Sequence, residues 1–375
     1  MHWHQKSRNQ WLTSTNLNTR FFHLSTIIQR RKNAIDFIKD ENGTWLSRRH
    51  LVSDCFINYY KNLFTSRHTH PSHHIDLLDI IPHSISFEEN EALCAIPSND
   101  EIKSVAFSFA SSKSLGLDSM SAIFYKSNWG IVSKEVIAMV QSFFASGFML
   151  KEMNHTFITL ILKTPNPSTV HNFRPISLCN ISYKIISKTL TNRLKILLSK
   201  LITPWQAASI LGRNIQDNSI IACEIFHTLH QKHTGTSGMV ALNLDLEKAF
   251  DKVEWPFLLS IFKHFGFSDK CIQMISQCIS TPSFSILING SLVGIFTSNR
   301  GIHQGDPISP FLFILVIDVL SRLFLQKEAE GSLQGIKIAR NCPPISHLMF
   351  VDDLVVFSRA NRDDFVAVQS CLSQF

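Results

Sequence analysis

The sequence predicts an α+β fold, in which helices back an antiparallel sheet. Three observations predict it. Residues 283–289 and 291–297 read as strands joined through Asn289-Gly290-Ser291, a step that supplies the positive-φ positions a tight hairpin needs. Residues 347–357 read as a second hairpin, with Asp352 and Asp353 at its turn. Long helical patterns cover 183–201 and resume from Ser309.

The elements follow in order. The first stretch, to about Asp54, is rich in Arg, Lys, Asn and aromatics. Arg20, Arg30, Arg31, Lys32, Arg48 and Arg49 outnumber the nearby acids, with Trp11, Phe21, Phe22 and Trp45 interleaved. It reads as a helix plus a hairpin through Asn42-Gly43. The same composition suits phosphates and unpaired bases. Residues 66–83 read as a linker. Its His68, His70, His73 and His74 lack an acidic or Cys partner at ligand spacing and are read as polar loop residues. From Ile102 the pattern is helical, then turns at Ser114-Leu115-Gly116-Leu117-Asp118. Residues 156–163 alternate as a strand, and Pro165 and Pro167 mark a loop. Residues 183–201 form an amphipathic helix with Lys and Arg on one face. Residues 239–245 form a strand. Trp255-Pro256 opens a helix, since proline's missing N–H costs nothing in the first turn, and Gly266 closes it. Ser309-Pro310 is expected to cap the next helix. No internal repeat is evident.

The chain of 375 residues can hold one large domain or two moderate ones. Its net charge of +7 favours a polyanionic partner. Eight cysteines without a CxxC pair indicate neither a zinc site nor a disulfide framework. Cys271 and Cys278 are expected in the core of a helix. The polar start, with His2, His4, Lys6 and Arg8, does not read as a signal peptide. The apolar run over 311–325 is broken by Asp318, Ser321 and Arg322, so it reads as a buried helix rather than a membrane span. An intracellular setting is expected, nucleus and cytoplasm being left open.

The chemistry starts from Asp352-Asp353. Adjacent carboxylates between two strands repel, and burying either alone is costly. A cation held between them removes both problems. A second segment, Val240-Ala241-Leu242-Asn243-Leu244-Asp245, again ends a buried-type strand on a carboxylate. If these groups share a metal site, Asp245 and Asp352 must lie within roughly 10 Å.

These segments carry a family resemblance. Phe350-Val351-Asp352-Asp353 resembles the F/Y-x-D-D box of reverse transcriptases. Asp245-Leu246-Glu247-Lys248-Ala249-Phe250-Asp251 resembles the D-x-x-K-A-F/Y-D box of the non-LTR, LINE-type subgroup. Arg300-Gly301-Ile302-His303-Gln304-Gly305-Asp306-Pro307 is similar to that subgroup's R-Q-G-D-P box. Asn172-Phe173-Arg174-Pro175-Ile176-Ser177-Leu178-Cys179-Asn180-Ile181-Ser182-Tyr183-Lys184-Ile185-Ile186-Ser187-Lys188 is similar to its fingers box, R-P-I-S-L-C-N-x-x-Y-K. Gln206-Ala207-Ala208 and Gly212-Arg213-Asn214-Ile215-Gln216-Asp217-Asn218 match a further box. Trp11-Leu12 with Asn18-Thr19-Arg20-Phe21-Phe22-His23 resembles a stretch that follows the endonuclease in plant LINEs, with Thr15-Asn16 in place of Gly-Asp. The order and spacing resemble plant LINE-type open reading frames best, from about Trp3 to the last residue.

The resemblance implies the fingers and palm of a right-hand polymerase at 85–375, preceded by an RNA-binding extension at 1–84. It implies RNA-directed DNA synthesis with an RNA template, a DNA primer and dNTPs, and two Mg²⁺ ions, Mn²⁺ being an alternative. Asp245 and Asp352 would be the bridging pair, Asp353 supporting, with the Leu246 carbonyl as a further ligand. Phe250 would exclude a ribose 2′-hydroxyl. Gln304 and Gly305 would contact the templating pair, and Arg174 and Lys163 the triphosphate. Arg20, Arg30, Arg31, Lys32 and Lys188 would bind nucleic acid. Asp251 and Asp306 are read as structural. Asn243, His303 and Val351 depart from a common Lys, Arg and Ala. The lysine box, the thumb, the endonuclease and the zinc-knuckle or RNase H region are expected to be missing. The rival readings are a non-catalytic relic that at most binds RNA, and a group II intron-type maturase, against which the Lys-Ala-Phe-Asp and Gln-Gly-Asp-Pro wording argues.

Overall fold

The computed structural model describes residues 20–66, 75–110, 116–231, 238–339 and 341–375. Trp11, Thr15, Asn16, Asn18 and Thr19, the histidines at 68, 70, 73 and 74, and the start of the turn at Ser114-Leu115 lie outside the described residues.

The described helices are α1 (Arg20–Lys32), α2 (Arg49–Leu63), α3 (Ile75–Leu78), α4 (Phe87–Cys94), α5 (Asn99–Ser108), α6 (Ala122–Ser127), α7 (Trp129–Ser146), α8 (Ile181–Leu201), α9 (Ile215–Gln231), α10 (Trp255–Phe265), α11 (Asp269–Ser280), α12 (Ser309–Ala329) and α13 (Arg362–Gln374). The strands are β1 (Ile38–Lys39), β2 (Trp45–Leu46), β3 (His155–Leu162), β4 (Phe173–Leu178), β5 (Met239–Asp245), β6 (Ser283–Ile288), β7 (Ser291–Thr297), β8 (His347–Phe350) and β9 (Asp353–Arg359). The fold is α+β, as expected.

Three sheets result. β1 and β2 form a small hairpin around Gly43, whose φ is +82°. β5-β9-β8 is antiparallel throughout. The sheet β4-β3-β6-β7 is mixed, because β3 runs parallel to β6. The antiparallel sheet expected around the Asp352-Asp353 hairpin is β5-β9-β8, and the mixed sheet is additional to it. Parallel neighbours need a long crossover, and the chain between Leu162 and Ser283 carries several helices. The β6–β7 turn places both Asn289 (φ +48°) and Gly290 (φ +83°) in the left-handed region that its sequence signalled.

The helix ends follow their sequence signals except at the start of α12. Pro256 stands in the first turn of α10, and Gly266 closes it at φ +93°. At α12 the cap is Ile308, and Ser309 is already helical. No side chain caps α12; the Asp306 carboxylate accepts from the Ile308 N–H at 3.3 Å and stabilises the turn before the helix. Among the described residues α12 is the helix long and apolar enough to cross a membrane, and 72% of its most apolar window is buried in the fold. Its Asp318 accepts from Thr203 and pairs with Arg322 at 2.7 Å, so the charge inside the helix is compensated.

Three cores hold the sheets. The largest joins α8, α10, α11 and α12 to one face of β5-β9-β8, through Met349, Leu354 and Val356; Cys271 and Cys278 are buried in it. A second gathers Ile35, Ile38, Val52, Phe56 and Tyr60 onto Ile158, Phe173, Phe284 and Ile286. Packing therefore runs across the 84/85 boundary, and the segment from Ile35 to Phe64 is part of the sheet's own core. A third packs α9 against the other face of β5-β9-β8, through Ile225, Leu348 and Phe357.

Candidate active site

The ladder between β5 and β9 fixes the carboxylates. Leu242 faces Val356, Leu244 faces Leu354, and Asp245 faces Asp353. Sliding this register by one residue would turn Leu354 and Val356 out of the core, so the apolar pattern sets it. β8 and β9 close with Phe350 opposite Asp353, which leaves Val351-Asp352 as a two-residue turn. The turn was expected on Asp352-Asp353. It lies one residue earlier, with Val351 at φ +64°.

Opposed residues of an antiparallel pair have Cα atoms about 4.5–5.5 Å apart. Asp352 is one peptide step, about 3.8 Å, further on. Asp245 and Asp352 thus approach within about 9 Å across 107 residues (352 − 245). The direct partner of Asp245 is Asp353, while Asp352, expected as the bridging residue, sits in the turn. Asp245 and Asp353 are exposed and Asp352 is half-buried.

Among the described residues no three His, Cys, Asp or Glu side chains are gathered tightly enough to hold a metal ion as they stand. The donor chemistry nevertheless fits a hard divalent cation. Like charges directly opposite each other destabilise a strand pair, and a cation between oxygen ligands removes that cost. The Leu246 carbonyl already accepts from Ala249 N–H at 3.2 Å, which leaves one lone pair.

The segment after β5 tightens into a turn. Lys248 lies at φ +57°, and residues 250–252 form a 3₁₀ turn. The Phe250 ring is half-buried and stacks on Phe313 at 4.7 Å. Its carbonyl accepts from Ile302 N–H at 2.8 Å, and Val253's from Gly301 N–H at 2.7 Å, so two boxes are sewn together. A Cβ on Gly305, at φ +114°, would meet the Ser177 carbonyl oxygen at 2.6 Å. Ser177 N–H donates to the Gln304 carbonyl at 2.7 Å. The glycine is thus demanded by the close approach of β4. Asp306 is buried, accepts from the Tyr183 and Ser187 hydroxyls, and ties this loop to α8. His303 packs edge-on against Phe284 at 4.9 Å, and burial pulls its pKa down to about 4.

Other expected residues are more scattered. Arg174 and Lys163 are exposed at the joined ends of β3 and β4, Arg174 facing Ile161 across the ladder. Arg20, Arg30, Arg31 and Lys32 are exposed on α1. Arg30 and Arg31 line an open groove of about 850 Å³ between α1 and strands β3 and β6. Lys188 is half-buried on α8.

Two features escaped the sequence reading. Lys248 lies over the Tyr59 ring at 4.8 Å and 3.2 Å from His171 Nδ1, which joins the Asp245–Asp251 box to α2. No local signal marks partners so distant in sequence. Asp251, read as structural, is buried, and its pKa is raised to about 7 by desolvation; Lys248, Lys163 and Lys252 pull the other way. A raised carboxylate pKa favours folding fully below 3.8, and that contribution is lost as pH rises through about 7. The shift of about three units corresponds to about 4 kcal/mol at pH 8. Asp251→Asn is therefore expected to raise stability in urea melts at pH 8 and change it little at pH 4.5. An equal gain at both values would contradict this account.

The strand ends thus bring together carboxylates from two distant segments, beside a loop that requires glycine. The chain belongs to the reverse transcriptase (RNA-dependent DNA polymerase) family, whose model matches residues 161–375. It is 28% identical over 360 residues to the transposon TX1 149 kDa protein of Xenopus laevis, covering 95% of this chain and 27% of that protein. It is 31% identical over 146 residues to a Pol polyprotein of the retrotransposable element R2 of Popillia japonica, covering 39% and 23% respectively. An uncharacterized mitochondrial protein of Arabidopsis thaliana is 49% identical over 67 residues, covering 18% and 55%. The chain thus spans about a quarter of the TX1 and R2 proteins and about half of the Arabidopsis one.

Proposed function

We propose that this chain carries the fingers and palm of an RNA-directed DNA polymerase from a LINE-type, non-LTR retrotransposon of the plant kind. The observation that carries the reading is the register that sets Asp245 opposite Asp353 with Asp352 in the adjoining turn. The relatives from R2 and TX1 support the class. The Arabidopsis relative supports the plant assignment. A relic that only binds RNA is not favoured, since Asp245 and Asp353 stand at strand ends and Asp352 in the turn between β8 and β9.

Mg²⁺ or Mn²⁺ would be held by Asp245, Asp352, Asp353 and the free lone pair of the Leu246 carbonyl. When bound, two such ions activate a primer 3′-hydroxyl and stabilise the leaving oxygen. The chain's own residues do the rest. Arg174 and Lys163 offer cations to the triphosphate. Phe250, stacked on Phe313, would offer its half-buried ring to the sugar. The Gln304-Gly305 backbone, pinned to β4, borders the templating base.

The deciding experiment is primer extension on poly(rA)/oligo(dT) with Mg²⁺, against a chelated control. No metal-dependent incorporation by the folded chain would overturn the reading. Phe250→Val is expected to raise ribonucleotide incorporation about tenfold, which is about 1.4 kcal/mol of discrimination. Unchanged discrimination would reduce Phe250 to a packing residue. Neutralising Arg30, Arg31 and Lys32 together should lower the log–log salt slope of RNA binding by roughly two units, at about 0.7 per contact. A slope unchanged between about 50 and 200 mM salt would remove α1 from the RNA interface.

A further inference from the structure

The box containing Gln206 and Asn218 is left without a role by the chemistry above, yet it lies directly beneath the Asp352 turn. Gln206 is wholly buried. Its side-chain carbonyl accepts from the Val351 N–H at 3.2 Å and from the Ala208 N–H at 3.1 Å. Two backbone donors converge on one oxygen, which fixes the orientation of the amide. The amide nitrogen is then buried with no partner. A buried donor is left unpaired at a cost, so the amide is retained for its oxygen.

The surroundings hold that oxygen in place. Residue 206 bridges Met349 in parallel fashion, and Met349 N–H donates to the Trp205 carbonyl at 3.0 Å. Asn218 donates to the Trp205 carbonyl at 2.8 Å and to the Met349 carbonyl at 3.2 Å. Arg213 donates to the Gln206 carbonyl at 2.7 Å. The residue held is Val351, a β-branched residue at φ +64°, a conformation such residues rarely adopt unsupported.

We infer that Gln206 is a positioning residue for nucleotide addition: its side-chain carbonyl holds the Val351-Asp352 turn in the left-handed conformation that sets Asp352 beside the Asp245–Asp353 pair. Its kinetic consequences rest on the polymerase reading; the clamp itself does not.

Gln206→Met removes the acceptor at nearly constant volume and also removes the unpaired donor. Hydrogen–deuterium exchange of the full chain without metal should show the Val351 amide exchanging about tenfold faster. The thermal midpoint should fall modestly, because the Val351 and Ala208 N–H groups lose their acceptor while the unpaired amide donor is also removed. Mn²⁺ binding, followed by electron paramagnetic resonance without nucleotide, should weaken several-fold. In primer extension kcat should fall about tenfold, with the primer–template Kd within roughly twofold of wild type. Gln206→Glu, which keeps an oxygen at the same reach, should retain the slow exchange. Should Gln206→Met not fold, Gln206→Asn, one methylene short, is expected to show the same faster exchange. Unchanged exchange at Val351 in these variants would overturn the clamp. So would kcat and thermal midpoint falling together at unaltered Mn²⁺ affinity, the mark of a merely structural residue. If wild type extends no primer, the polymerase reading fails alone, and the exchange and Mn²⁺ measurements still decide the role of Gln206.

Discussion

If the proposed site is catalytic, Asp245→Asn and Asp352→Asn are each expected to lower the rate of single-nucleotide addition by about 10³-fold or more, a barrier increase of about 4 kcal/mol. Each keeps the shape of the side chain and removes the charge that a divalent cation needs. The accompanying stability change separates this from damage to the fold. Asp245 is exposed and faces Asp353 across the ladder, so Asp245→Asn relieves a like-charge pair. Such pairs contribute roughly 0.2–1 kcal/mol. The variant should melt at or above the wild-type temperature while its activity collapses. The checks are single-turnover extension and a thermal melt on the same preparation. A rate within about tenfold of wild type would remove these carboxylates from the chemistry.

Asp306→Ala is the substitution expected to cost the most stability. The carboxylate is buried between α8 and the loop before α12, where it accepts from Tyr183, Ser187 and the Ile308 N–H. Burial pushes its pKa up, and the donors around it pull the other way. Removing it strips the partner from two buried hydroxyls, at about 1–3 kcal/mol each, so about 2–6 kcal/mol in all. Tyr183 retains the Cys278 carbonyl at 3.3 Å, which favours the lower half of that range. Urea denaturation measures it. A loss under about 1 kcal/mol would mean the hydroxyls find other acceptors.

Local chemistry made part of this molecule legible. The bounds of β5 follow from an apolar run that stops at a carboxylate, and those of α10 from Pro256 and Gly266. Asn289-Gly290 fixed its hairpin because few residues accept two consecutive positive φ values. What was not legible depends on partners far along the chain. The parallel β3–β6 pairing leaves no mark in either strand. The Asp352 turn was misread by one residue, since the choice is made by Leu354 and Val356 seeking the core beside Leu244 and Leu242. In the site, the boxes pointed to Asp245, Asp352 and Asp353. They include Gln206 but give it no role, because its acceptor role appears only once Val351 stands over it.

Strand order also dictates when these carboxylates can meet during synthesis. β5 has one neighbour, β9, and Asp245 waits 108 residues (353 − 245) for Asp353. β3 waits 128 residues (283 − 155) for β6, and α2, among the first described elements, packs on β6 and β7. Loops of this length close slowly and reward the chain late. A nascent chain that has reached β5 therefore carries an open strand edge and an uncovered apolar face, the condition in which polypeptides associate with one another. The carboxylate cluster is completed only as β9 pairs, so a ribosome-bound intermediate lacking β9 has no assembled site and depends on whatever shields its exposed edges.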